Sequence, residues 1–215
     1  MPLTGRFRAV VFDMDGLLLE TEELWDRAES ELFRRHGDRW TFEDKLAVMG
    51  TSWEASARYY AERLGQPIER GRALIAEMHG LMKLELEREV RARPGALELL
   101  ERLRQMDDVR VALASNSSRE IVEIALRVAR LTDAFEAIVT SDDVEHPKPA
   151  PDIYLLACER LGVSPQDAVA LEDTAPGIAA AKAAGLFTIA VPQFAETDVS
   201  AADRVVDSLE QLLDP

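Results

Sequence analysis

One cysteine, Cys158, stands in 215 residues, so no internal disulfide can brace this chain. That excludes the small disulfide-built secreted scaffolds. Long hydrophobic runs are also missing: none approaches the ~18–20 residues needed to span a bilayer. The N-terminus shows no secretory pattern and enters a strand-like stretch almost at once. Cations are scarce, with 25 Lys and Arg against 40 Asp and Glu and a formal net charge of −15. Such a surface repels a nucleic-acid backbone. The expectation is a cytoplasmic protein, a monomer, without nucleic-acid or membrane partners. A phosphorylated metabolite is anionic too, so an acidic protein must gather a few cations, or a metal, where it receives one.

The hydrophobic content of 47% and charged content of 30% are globular values. The length suits one α/β core with a modest insertion. Ala9-Val10-Val11-Phe12 is a short, apolar, β-branched run that reads as a buried strand. Asp13-Met14-Asp15-Gly16 follows it directly. Residues i and i+2 of an extended segment point the same way, so Asp13 and Asp15 can face one ligand. Two close carboxylates repel unless a cation lies between them or one keeps its proton. That points to Mg²⁺, which takes one or two carboxylates and leaves positions for water and phosphate. An acidic chain will also hold some D-x-D triplets by chance, so three later stretches matter.

Between Glu22 and Val90 only helical patterns occur. They predict helices over Glu22–His36, from Thr41 towards Met49, from a Thr51–Glu54 capping box to Gly65, and over Ile68–Glu89. The third should bury Trp53, Ala57, Tyr60, Ala61 and Leu64. After Pro94-Gly95 comes a helix with Leu97, Leu100 and Leu103 on its apolar side. Strands and helices then alternate: strands at Val109–Ala114, Ala137–Val139, Ala168–Leu171 and Phe187–Val191, and a last short helix over Ser208–Leu213. Alternation with short links argues a parallel sheet covered on both faces. The domain reading is a Rossmann-like α/β core, residues 1–21 and 92–215, with an inserted all-helical unit, residues 22–91.

Polar residues interrupt the apolar pattern where strands end, the place where open α/β sheets bind ligands. They are Asp13 and Asp15, Ser115 and Asn116, Lys148, and Glu172 with Asp173. Asp13 suits a nucleophile that becomes an aspartyl-phosphate. Asp15 suits an acid that protonates the leaving oxygen and a base that then deprotonates water. Ser115 and nearby N–H groups can hold phosphoryl oxygens. Lys148 can neutralise nucleophile and phosphoryl group, and Glu172 and Asp173 can complete the Mg²⁺ site. Each has a plainer reading: Ser115 and Asn116 as a helix cap, Lys148 as an exposed loop lysine, Glu172-Asp173 as acids favoured by a helix dipole.

Four segments together resemble the haloacid dehalogenase superfamily, in its beta-phosphoglucomutase-like phosphatase branch. They are Phe12-Asp13-Met14-Asp15-Gly16, Ala114-Ser115-Asn116-Ser117, Lys148-Pro149-Ala150-Pro151-Asp152 and Leu171-Glu172-Asp173-Thr174-Ala175-Pro176-Gly177-Ile178. The resemblance implies a helical cap on a Rossmann-like core, Mg²⁺ dependence and an aspartyl-phosphate intermediate. It implies metal ligation by the Asp13 carboxylate, the Asp15 backbone carbonyl and the acidic pair. Gly16, Asn116 and Trp53 are expected to contact phosphate or substrate, with the Gly50–Trp53 loop approaching Asp15 when the cap closes. Dehalogenase members lack the second aspartate, so Asp15 favours phosphoryl transfer. Mutases of the branch usually carry a histidine at Trp25 and an arginine at Trp53. The expectation is therefore a Mg²⁺-dependent phosphatase for a small phosphomonoester, with a sugar-phosphate mutase as the alternative and a non-catalytic binding protein of the same fold as a third. Glu20 stands where the branch usually has aspartate, and nothing in the sequence explains it.

Overall fold

A computed structural model of the chain describes residues 7–213. Residues 1–6 and 214–215, counted above with the core, lie outside the described residues. Six strands form one all-parallel sheet: β1 (Ala9–Phe12), β2 (Arg110–Ser115), β3 (Ala137–Thr140), β4 (Ala168–Glu172), β5 (Phe187–Ala190) and β6 (Arg204–Val205). The order is β3-β2-β1-β4-β5-β6. The connection reverses between β1 and β4, which opens a crevice at their carboxyl ends. β6 was not legible in the sequence: it spans two residues, too short for any period.

β1 is buried on both faces. Val10 and Phe12 join one apolar cluster, Ala9 and Val11 the other. The second cluster is rich in alanine, with Ala112, Ala114, Ala168 and Ala170 beneath α7 (Asp152–Leu161) and α8 (Ala175–Ala184). Small side chains let these helices sit close to the sheet.

Residues 22–88 carry α1 (Glu22–Arg35), α2 (Phe42–Val48), α3 (Trp53–Arg63) and α4 (Gly71–Arg88). No strand occurs there, as the sequence pattern predicts. Thr41 caps α2, with a reciprocal bond from its own backbone N–H to Asp44. The capping box expected at Thr51–Glu54 does not form: Ser52 caps α3, accepting from the Ala55 N–H. Of the α3 residues expected inside, Tyr60 and Ala61 are buried, while Trp53, Ala57 and Leu64 are half-buried against the core. The helix expected from Ile68 begins as a 3₁₀ turn, Ile68–Arg70, and Ser208–Leu213 is a 3₁₀ turn over Leu209–Leu212. In α5 (Ala96–Arg104), Leu97 faces solvent and Leu99 takes its place inside. The remaining core helix, α6 (Arg119–Val128), packs against α4 of the helical block.

The two segments joining the helical block to the sheet pair with each other. Leu19 bridges Ala92 in antiparallel fashion, Glu20 N–H donates to the Arg91 carbonyl, and Arg93 N–H donates to the Leu18 carbonyl. Both chain crossings are thereby held side by side, next to Asp15.

Candidate active site

Every polar residue read at a strand end comes to the same end of the sheet. Lys148 reaches it from the loop before α7 and is only 2% exposed, which excludes the exposed-lysine reading. Its ammonium donates to Asp13 Oδ1 at 2.6 Å, to Glu172 Oε1 at 2.5 Å and to the Ala114 carbonyl at 2.9 Å. Three donors and three acceptors match, so the buried ammonium is satisfied. Burial pushes Lys148 down, but Asp13 and Glu172 outweigh it and hold the ammonium above its ordinary value.

Burial drives Asp13 well above the usual carboxylate range. Lys148 pulls it back, while Glu172 and Asp15 push it further up. Asp173 is raised by burial and then by Asp13 and Glu172. Carboxylate oxygens of Asp13, Glu172 and Asp173 lie within 4.8 Å of one another, and Asp173 Oδ1 is buried with no partner. An orphaned buried oxygen facing two other carboxylates is a donor set that fits a hard divalent cation.

Within that set Glu172 is already engaged. Oε1 accepts from Lys148 and from Tyr154 Oη at 2.6 Å, and Oε2 accepts from Thr174 Oγ1 and from the N–H groups of Asp173 and Thr174. Gly177, in the first turn of α8, has no room for a Cβ because the Glu172 carboxylate fills that space. Gly16 is constrained likewise: its φ is +80°, and a Cβ would collide with Asp173 and Gln193. Gln193 Nε2 donates to the Gly16 carbonyl at 2.6 Å.

The Asp15 carboxylate lies outside that cluster and has its own partners. Oδ1 accepts from Thr21 Oγ1 and Trp25 Nε1, both at 2.8 Å; Oδ2 accepts from Ser117 Oγ at 2.8 Å and Ser115 Oγ at 3.3 Å. Ser115 and Asn116 do not cap α6, whose N-cap position is Ser118. Asn116, expected on phosphate, exchanges hydrogen bonds with the Lys148 backbone. It donates to that residue's carbonyl and also to the Gly50 carbonyl, so it ties the Lys148 loop to the helical block. The Gly50–Trp53 loop does reach the site: Gly50 packs on Thr174, and Trp53 lines the same cavity as Asp13 and Asp15.

The sequence pattern did not mark Thr21, Ser117, Tyr154 or Gln193 as partners of site residues. Each belongs to an otherwise ordinary turn or helix. Trp25, which stands where mutases of the branch usually carry histidine, holds Asp15 through its indole N–H. Only Ser117, inside the quoted Ala114–Ser117 segment, carried a signal.

Trp53 packs between Trp25, with ring centroids 5.7 Å apart, and His79 of α4, at 4.4 Å edge to face. Burial, reinforced by Lys83, holds His79 down at about 4, and its Nε2 has no partner. The unfolded chain therefore takes up this proton first as the pH falls. Stability linked to His79 is full above about 6.5 and declines through about 4, by up to about 3 kcal/mol. Urea unfolding at pH 7 and pH 4.5 should show the wild type losing more stability than His79→Gln; equal losses would refute it.

A family model described as haloacid dehalogenase-like hydrolase matches residues 7–185. The chain is 37% identical to the protein CbbY of Cereibacter sphaeroides, over 95% of this chain and 93% of that one. It is 31% identical to the fructose-1-phosphate phosphatase YqaB of Escherichia coli, over 86% and 97%. The crystal structure of a CbbY mutant from Rhodobacter sphaeroides in complex with xylulose-(1,5)bisphosphate superposes with a TM-score of 0.84 at 31% identity, covering 96% of each chain. A match along most of the chain, on a parallel sheet with its acidic cluster at the switch point, establishes that this protein belongs to the haloacid dehalogenase-like hydrolases.

Proposed function

We propose that the protein is a Mg²⁺-dependent phosphatase that hydrolyses a small phosphomonoester through an aspartyl-phosphate. The observation that carries this reading is the buried Lys148 clamped between Asp13 and Glu172, beside the unpartnered Asp173 oxygen. Asp13, Asp173 and the Asp15 backbone carbonyl would hold Mg²⁺, with Glu172 mainly bracing Lys148 and the start of α8. Mg²⁺ bound there would neutralise the phosphoryl oxygens and align them with the nucleophile. An Asp13 oxygen attacks phosphorus while the bond from phosphorus to the leaving oxygen breaks, and Asp15 delivers a proton to that oxygen. Asp15 then takes a proton from water, which attacks phosphorus; the bond to Asp13 breaks and phosphate leaves. Lys148 stabilises the growing negative charge, and Thr21, Trp25 and Ser117 keep Asp15 aimed. Residues 22–91 act as a cap whose two paired crossings allow it to open and close over Asp13.

Phosphate release from a panel of sugar, polyol and nucleotide monophosphates, with Mg²⁺ and with excess chelator, tests the reading. Activity is expected only with the metal. Ca²⁺ should inhibit, because its larger, looser coordination fits an in-line transfer poorly. Full activity in chelator would eliminate the metal, and isomerisation of a sugar phosphate without net phosphate release would favour the mutase.

A further inference from the structure

Above Asp13 and Asp15 the cavity continues into the helical block, with a volume of about 90 Å³. Trp25 and Trp53 form part of its wall, and Glu22, Glu29, Lys45, Thr51, Ser56 and Tyr60 add polar groups from the helical block. Among the described residues that line it, the cations are Lys148 and Lys45. Lys148 is engaged by Asp13 and Glu172. Lys45 pairs with Glu22 at 3.2 Å and also donates to the Glu22 carbonyl. No free cation therefore remains at the far end of the cavity to receive a second anionic group.

Glu29 stands at that end on α1, only 5% exposed. Oε1 accepts from Tyr60 Oη at 2.6 Å, the one hydrogen bond this carboxyl makes among the described residues. Among the described residues it makes no ion pair, and Lys45 acts on it only as a weaker, lowering influence. Burial pushes its carboxyl up to about 8, outweighing the Tyr60 hydrogen bond. A neutral carboxyl of this kind both donates and accepts. The indole N–H of Trp53, in the same wall, is also buried with no protein partner.

We propose that Glu29, which lines this cavity, is a specificity-determining residue whose carboxyl reads a hydroxyl of a compact, uncharged leaving group, and that the cavity disfavours a second phosphate. The inference rests on the phosphatase reading and narrows its substrate class to monophosphates of hydroxylated molecules. A second phosphate placed there would meet the Glu22 carboxylate, with Lys45 already paired to it and no free counter-charge. The solved CbbY complex holds a bisphosphate, so this chain would part from that relative in what its cap accepts.

The test uses the full chain with Mg²⁺ and three probes: p-nitrophenyl phosphate, fructose 1-phosphate and fructose 1,6-bisphosphate. No phosphate release from any of them overturns the phosphatase reading itself. With release, kcat/KM should be at least tenfold higher for the monophosphate than for the bisphosphate; equal or reversed values overturn the inference. That arm needs no variant. In Glu29→Gln, which keeps a neutral donor and acceptor, the ratio of kcat/KM for fructose 1-phosphate to that for p-nitrophenyl phosphate should stay within about threefold of wild type. In Glu29→Ala the same ratio should fall at least tenfold. An unchanged ratio in the alanine variant, or a tenfold fall in the glutamine variant, would remove Glu29 from recognition.

Discussion

Asp13→Asn is expected to lower turnover by about 10³-fold or more while leaving the fold intact. Asparagine has the same shape and remains an acceptor for Lys148, which bonds Asp13 Oδ1 at 2.6 Å. It lacks the charged oxygen that attacks phosphorus, and an aligned nucleophile lowers the barrier by several kcal/mol. The variant also loses one carboxylate from the cluster with Glu172 and Asp173, so Mg²⁺ affinity should fall with it. Raising Mg²⁺ far above the level that saturates wild type separates the two losses. Restored turnover would make Asp13 a ligand alone; persistent inactivity at saturating metal is the expected result. Circular dichroism checks the fold. Turnover within tenfold of wild type would end the nucleophile assignment.

Lys148→Met should be costly in two ways. Asp13 and Glu172 would then be buried without their shared cation, and breaking a buried ion pair from one side costs about 3–5 kcal/mol. Turnover should fall by roughly 10²–10³-fold, since one positioned charge near a reacting group contributes on that order. The stability loss has a pH signature. Without Lys148, which lowers both, burial and repulsion raise Asp13 and Asp173 further, so the folded variant binds more protons than its unfolded chain at neutral pH. Its stability should therefore rise relative to wild type as the pH falls from 8 towards 5. Urea unfolding across that range is the measurement. A constant gap between the proteins would show that the destabilisation is lost packing rather than uncompensated charge.

The sequence by itself determined the α/β class, the strands around Asp13, Ser115 and Glu172, and the all-helical character of residues 22–88. Those features are written in local periods: β1 is a four-residue apolar run closed by an aspartate, and α1 shows two apolar rows with helical spacing. The segments carrying Asp13, Ser115, Lys148 and Asp173 were legible because polar residues break apolar patterns at the ends of parallel strands and in the loops that follow. Tertiary structure alone decided how those residues divide the work. Lys148 and Tyr154 approach Glu172 from a loop and a helix 24 and 18 residues away in the chain. Ser117 and Asp15 meet across 102 residues. No local period encodes such distances. The same holds for Glu29: its spacing on α1 predicts only an inward-facing residue, and a buried glutamate is otherwise a cost. Its contact with Tyr60 from α3, and a cavity with no free cation, make it a candidate reader of substrate. Helix and strand patterns report which way a side chain faces. What it meets there depends on the packing of distant segments, which sets burial, charge balance and hydrogen-bond partners.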